Sequence, residues 1–161
     1  MPRAFSISTE SIAAEQKRAG GDPERFDISR VVKLDTLELR PVGPGDVHIR
    51  IIAVSGAHNI NHAALADTVN IADIRGGKIF PGNSAVGEVI GIGAAVEKFK
   101  VGDIVITHCN GEPDIYGLPL RIWAYDQPDS IGWYGEEAVV GEWQLVPAPL
   151  GCGLNLWEIA A

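Results

Sequence analysis

Gly87-Glu88-Val89-Ile90-Gly91-Ile92-Gly93-Ala94-Ala95-Val96-Glu97-Lys98-Phe99-Lys100-Val101-Gly102-Asp103-Ile104-Val105 is the stretch whose reading decides the fold. Its Gly91-x-Gly93 invites comparison with the glycine loop that turns a strand into a helix beneath a dinucleotide. That loop needs a small residue at its sixth position and a helix-period run behind it; here the sixth position is Val96 and no such run follows. Glycines set into alternating apolar strands instead suit bulges and tight corners, as in a small barrel whose strands bend sharply to close. The stretch therefore predicts a mainly β fold.

Outward from it, the same grammar repeats. Arg30 to Leu39 alternates through Val31, Val32, Leu34, Leu37 and Leu39, and Pro41-Val42-Gly43-Pro44-Gly45-Asp46 punctuates the chain before a second run, Val47 to Ala57. These two runs read as an antiparallel pair. Further strands are expected at Ile104 to His108, Trp133 to Val140 and Trp143 to Val146, with Gly141-Glu142 as a turn. Two helices punctuate the strands. Ser8 to Gly21 opens on capping hydroxyls and Glu10, carries Lys17 and Arg18 in its last turn and stops at two glycines, which reads as a solvated N-terminal decoration. His58 to Ala66 reads as a short helix in a loop excursion. Among the aromatics, Trp143 is expected in the core.

Composition narrows the partners. The chain has 161 residues, 46% of them hydrophobic, and its 13 Lys and Arg against 21 Asp and Glu leave a net charge of −8. One globular core is within reach at that length, and the averaged field repels phosphate backbones and anionic headgroups, so nucleic acid and membrane surfaces are not expected partners. No apolar run is long enough to span a bilayer and no secretory signal opens the chain, which predicts a cytoplasmic protein. Cys109 and Cys152 stand alone, too few for a cysteine-built zinc or a disulfide scaffold.

The run Gly87 to Val105, with Pro44-Gly45-Asp46-Val47 before it and Leu145-Val146-Pro147-Ala148-Pro149 after it, resembles the N-terminal GroES-like barrel of the medium-chain dehydrogenase/reductase superfamily over residues 30–161. Two further segments are similar to signatures of crotonyl-CoA carboxylase/reductase and its relatives. Ile106-Thr107-His108-Cys109 followed by Arg121-Ile122-Trp123-Ala124-Tyr125-Asp126 resembles their H-C…R-I-W-G-[FY]-E. The ending Leu156-Trp157-Glu158-Ile159-Ala160-Ala161 resembles their L-T-W-E-E-A-A. The resemblance implies a partly open GroES-like barrel with short helices over residues 30–161, and the capped run at Ser8 to Gly21 makes residues 1–29 an N-terminal helical extension before it. It also implies a barrel that supplies most of a substrate pocket, while a following Rossmann domain holds the nicotinamide cofactor. These 161 residues contain no strand, glycine turn and helix with an acidic ribose binder. The chain alone is accordingly expected to bind no cofactor, NADPH being held by a Rossmann-bearing partner.

Site residues follow from the same resemblance. Alcohol-oxidising members of the superfamily hold a catalytic zinc with Cys, a His-Glu pair and a further Cys or Asp; here Ser55 stands for the first Cys and Gly82-Asn83-Ser84 for G-H-E. His58 and His62, at i and i+4, give two of the three protein ligands a catalytic zinc needs, so no metal is expected. The carboxylating reductases carry a loop like S-V-N-Y-N; Ser55-Gly56-Ala57-His58-Asn59 puts Ala57 at the first Asn and keeps the second as Asn59, which polarises a substrate carbonyl or caps the following helix. Tyr125-Asp126 resembles the family's aromatic-acid pair with the acid shortened by one methylene, a displacement of roughly 1 Å that disturbs a carboxylation geometry but leaves a desolvated acid suited to proton transfer. An Asx turn before Gln127-Pro128 is the structural alternative. The expected catalytic residues are thus Asp126, His58 and Asn59, and the expected substrate-binding residues Asn61, Asn83, Arg121, Trp123 and Tyr125.

The resulting expectation is the substrate side of an enoyl-thioester reductase-like protein acting on an acyl-thioester, or, alternatively, a cofactor-free cyclase, isomerase or ligand-binding protein derived from a reductase. The tail carrying Leu154, Leu156, Trp157 and Ile159 is expected to be covered by self-association or by a separate Rossmann-domain subunit, because contiguous apolar patches are rare on monomers.

Overall fold

In the computed structural model, residues 1–56, 76–108, 114–120 and 132–160 are described. The chain opens with a strand, β1 (Arg3–Ser8), and its last residue caps the first helix, α1 (Thr9–Ala19). Ser8 and Ser11 exchange side chain-to-backbone hydrogen bonds across the first turn, and Gly20, at φ 66°, takes the left-handed position that ends the helix. After a single turn at Pro23–Arg25, α2 (Ile28–Val31) leads into β2 (Val32–Thr36), followed by β3 (Asp46–Val54), β4 (Lys78–Ile79), β5 (Ala85–Ile92) and β6 (Ile104–Thr107). The chain ends with β7 (Glu137–Gly141), β8 (Leu145–Pro147) and α3 (Leu156–Ala160). Among the described residues no helix is long and apolar enough to cross a membrane.

The strands form two antiparallel sheets, β2-β1-β4 and a curled β7-β3-β5-β6-β8. The expected pairing of Arg30–Leu39 with Val47–Ala57 is not what forms: β2 pairs with β1, and β3 with β5 and β7. The connection explains this. Leu37 turns inward, 1% exposed and tied to the Pro2 carbonyl, while Pro41 and Pro44 have no amide to donate to a hairpin. Asp46 then locks the loop by pairing with Arg40 and accepting from the Gly43 amide, and this pairing, chiefly its bond to Arg40, holds the Asp46 carboxyl below the usual range.

The N-terminal segment is not a solvated decoration. Ile7, Ile12, Val31 and Ile79 form a core of their own beneath α1, and the buried Glu15 takes two bonds from Arg18 and one from the Asp27 amide. The expected boundary at residue 30 falls inside α2. The main core lies inside the curled sheet, around Val47, Ile49, Val89, Val105, Val140 and Trp133. Among the described residues the core tryptophan is Trp133 and not Trp143: Trp133 is fully buried and Trp143 is 39% exposed, because the turn Glu142–Gln144 directs Gln144 inward and Trp143 out. The expected strands from Trp133 and Trp143 begin later, at Glu137 and Leu145. The tail divides: α3 folds back onto the sheet, seating Leu156, Ile159 and Ala160 against Ala53 and Val86, while Leu154 and Trp157 stay exposed.

Residues 132–136 fuse the two sheets. The Gly132 and Tyr134 amides donate to the Phe80 and Pro81 carbonyls, the Glu136 amide to Arg3, and the Phe5 and Ile51 amides donate back to Tyr134 and Glu136. The closeness of this crossing leaves no room at Gly132, where a Cβ would overlap the Pro81 carbonyl group. Gly132→Ala should therefore lower stability by about 3 kcal/mol in denaturant unfolding, since only backbone could yield. Gly45→Ala, where a Cβ meets nothing, should stay within about 0.5 kcal/mol.

Candidate functional site

The exit of β3 and the entry of β5 lie side by side. Val54 pairs with Ala85, so the next residues outward are Ser55 and Ser84, and the Ser55 amide donates to the Ser84 carbonyl at 3.0 Å. Asn83, half-buried with its Oδ1 sealed from solvent, sits beside them. The three positions that the family resemblance aligned with zinc ligands are thus neighbours in space, and they carry two hydroxyls and an amide.

Tyr134 organises this corner. Its hydroxyl donates to the Ser55 carbonyl at 2.9 Å and its amide donates to the Pro81 carbonyl at 3.0 Å, so one residue holds both chain segments. Gly82, at φ 127°, makes the approach: a Cβ there would stand 2.5 Å from the Trp133 nitrogen. The floor is β6, whose buried Thr107 hydroxyl oxygen accepts from the Ala85 amide at 2.8 Å. His108 follows, anchored through its amide to the Gln144 carbonyl and through Nε2 to the Trp143 carbonyl at 3.1 Å, which makes it a structural residue of the wall.

Among the described residues no group of three or more His, Cys, Asp or Glu is gathered closely enough to hold a metal. A pyrophosphate does not fit the glycine run either. Gly91-x-Gly93 leaves β5, and a Cβ at Gly93 would overlap the Gly43 and Pro44 carbonyl oxygens, so this glycine serves backbone packing. The chemistry that the corner offers is hydrogen bonding to a carbonyl or hydroxyl by neutral groups. Of the expected site residues, Asn83 is placed here; Asp126, His58, Asn59, Asn61, Arg121, Trp123 and Tyr125 lie outside the described residues, as do His62 and Cys109. Tyr134 was missed as a site residue, and only its place three residues before β7 could have drawn attention to it.

Residues 43–150 match the family model described as the alcohol dehydrogenase GroES-like domain. The chain belongs to that family. Cinnamyl alcohol dehydrogenase 5 of Arabidopsis thaliana is 34% identical over 158 residues, covering 88% of this chain and 42% of the relative. A probable cinnamyl alcohol dehydrogenase 1 of Aralia cordata is 36% identical over 157 residues, with the same two shares of 88% and 42%. Among solved structures, a crotonyl-CoA carboxylase/reductase superposes with a TM-score of 0.75 at 26% identity, over 98% of this chain and 36% of that one. The apo form of a 2-octenoyl-CoA carboxylase reductase from a Streptomyces species gives 0.78 at 20% identity, over 99% and 40%, a likeness of fold alone. The chain therefore spans about two fifths of the length of its relatives. The expected likeness to the carboxylase/reductase group is met in the solved structures, while the curated sequence relatives named here are alcohol dehydrogenases.

Tyr134→Phe keeps the ring and removes one hydrogen bond from a partly buried carbonyl. It should cost about 1 kcal/mol of stability, and the Ser55 amide should exchange with solvent faster than in the parent while β3 interior amides are unchanged.

Proposed function

We propose that this domain is the substrate side of an enoyl-thioester reductase-like protein. The observation that carries the reading is the corner at Ser55, Asn83 and Ser84: the zinc-type positions are brought together, as a metal site requires, but hold only hydroxyl and amide groups. The superposition on a crotonyl-CoA carboxylase/reductase at 26% identity supports the same branch.

In this reading an α,β-unsaturated acyl-thioester places its carbonyl oxygen against neutral hydrogen-bond donors, Asn83 and Asn59, which stabilise the negative charge that develops there. Asn61, Arg121, Trp123 and Tyr125 are assigned to acyl binding by the family resemblance alone. Asp126, next to Tyr125 in the sequence, is assigned the proton exchange with the substrate carbon, with His58 as the other candidate acid or base. NADPH, held by a Rossmann domain outside these 161 residues, supplies the hydride, and the barrel residues themselves hold neither it nor zinc. The alternative is a cofactor-free isomerase, cyclase or ligand-binding protein that retains the pocket without the redox step.

Titration with crotonyl-CoA, with elemental analysis of the same sample, tests the reading. Saturable binding is expected, weakened by about 1 to 3 kcal/mol in Asn83→Ala and without stoichiometric zinc. One zinc per chain, or a crotonyl-CoA affinity unchanged by Asn83→Ala and Asn59→Ala alike, contradicts it. Substrate turnover in the absence of NADPH, lowered roughly 10²- to 10⁴-fold by Asp126→Asn, would select the cofactor-free alternative.

A further inference from the structure

Tyr134 also lines a concavity, shared with Val54 and Trp157. It lies between the β1-β2 ribbon, the last residues of β3 and α3, opens onto solvent, and has a volume of about 540 Å³, within the range of pockets that take small molecules. Its construction follows from the strand register. Phe5 and Leu34 are directly opposed across β1 and β2, and Ile7 opposes Val32 one step further along the same face. The α1 core covers the Ile7 end, leaving Ile7 1% exposed. Nothing described covers the next pair, so Phe5 and Leu34 remain 47% and 54% exposed. Val54 and Trp157, 38% and 68% exposed, form the facing wall. Four large apolar side chains thus share one cleft.

Its polar groups are already engaged. Arg3 makes two side-chain bonds to Glu136 at the rim, and each ion strengthens the other: the guanidinium is raised and the carboxyl lowered from their ordinary values, chiefly by that hydrogen bond. The Tyr134 hydroxyl is spent on the Ser55 carbonyl. The described lining therefore presents no net charge to a ligand, and a phosphate-bearing molecule such as coenzyme A would find no uncommitted cation in it. A flat ring stacking on Phe5 or Trp157 gains both burial and edge-to-face contact there.

We propose that this cleft is a binding site for an uncharged, ring-bearing apolar small molecule, separate from the corner at Ser55 and Asn83. It stands on the cleft alone and does not depend on the reductase reading.

Titration of the whole chain with N-phenyl-1-naphthylamine, an uncharged probe that brightens in apolar surroundings, tests this alongside sedimentation at the same concentrations. The expected result is saturable binding of one probe per chain, weakened at least tenfold by Leu34→Glu and by Trp157→Lys and unchanged by Leu150→Lys, an exposed residue outside the cleft. Trp157 lies on the outer side of a surface helix, so its variant keeps the core and the far-ultraviolet circular dichroism should match the parent. Three results overturn the proposal: absence of saturation, equal affinity in parent and Trp157→Lys, or a dimer that excludes the probe and dissociates in Trp157→Lys, which would assign the cleft to a second copy.

Discussion

The crossing of residues 132–136 between the two sheets is the constraint on which the rest depends. Five backbone hydrogen bonds join it to Phe80, Pro81, Arg3, Phe5 and Ile51, so it belongs to β1 on one edge and to β3 on the other. Buried amides and carbonyls have few alternatives once water is excluded, and the crossing satisfies them where neither sheet can do so alone. Trp133 fills the main core from this strip while Tyr134 faces the opposite way and reaches Ser55. A single irregular segment thereby sets the curl of the large sheet, the position of the small one and the spacing of the candidate site.

That dependence links fold to function. Ser55 and Asn83 are 28 positions apart in sequence, and what brings them together is the β3-β5 register plus the Tyr134 hydroxyl. A corner built this way is rigid at its backbone and free to vary in its side chains. In this chain the corner positions carry hydroxyl and amide groups, whose chemistry is hydrogen bonding. Tyr134 also lines the apolar cleft, so the corner and the cleft both depend on the same crossing.

Much of the large sheet was legible. Alternation located β3, β5 and β6 to within a few residues, and the refusal of Gly91-x-Gly93 as a nucleotide loop agrees with a Gly93 packed against the Gly43 and Pro44 carbonyls. β1 was hard to see because both faces of the strand bury residues and the pattern does not alternate: Ala4, Ser6 and Ile7 are all buried, and the Ser6 hydroxyl bonds Asp35, which also takes Lys78. Trp143 misled for a related reason, since large aromatics favour burial on average and only the turn at Glu142–Gln144 decides which neighbour goes inside. The site was legible solely through family resemblance. Composition and spacing carry no sign that Ser55 meets Ser84, and none that a lone tyrosine ties them, because both contacts arise from long-range register. Asp126, His58 and Asn59 lie outside the described residues and remain part of the proposal.

Native-state hydrogen exchange, resolved by residue, tests the claim that the crossing makes one cooperative unit of the two sheets. The account predicts that the Phe5, Ile51, Tyr134 and Glu136 amides exchange only through global unfolding, with the same free energy as Val89 in the middle of β5. Exchange of Phe5 and the other β1 amides at much lower free energy, while β3 and β5 stay protected, would show the N-terminal sheet opening independently and would contradict it.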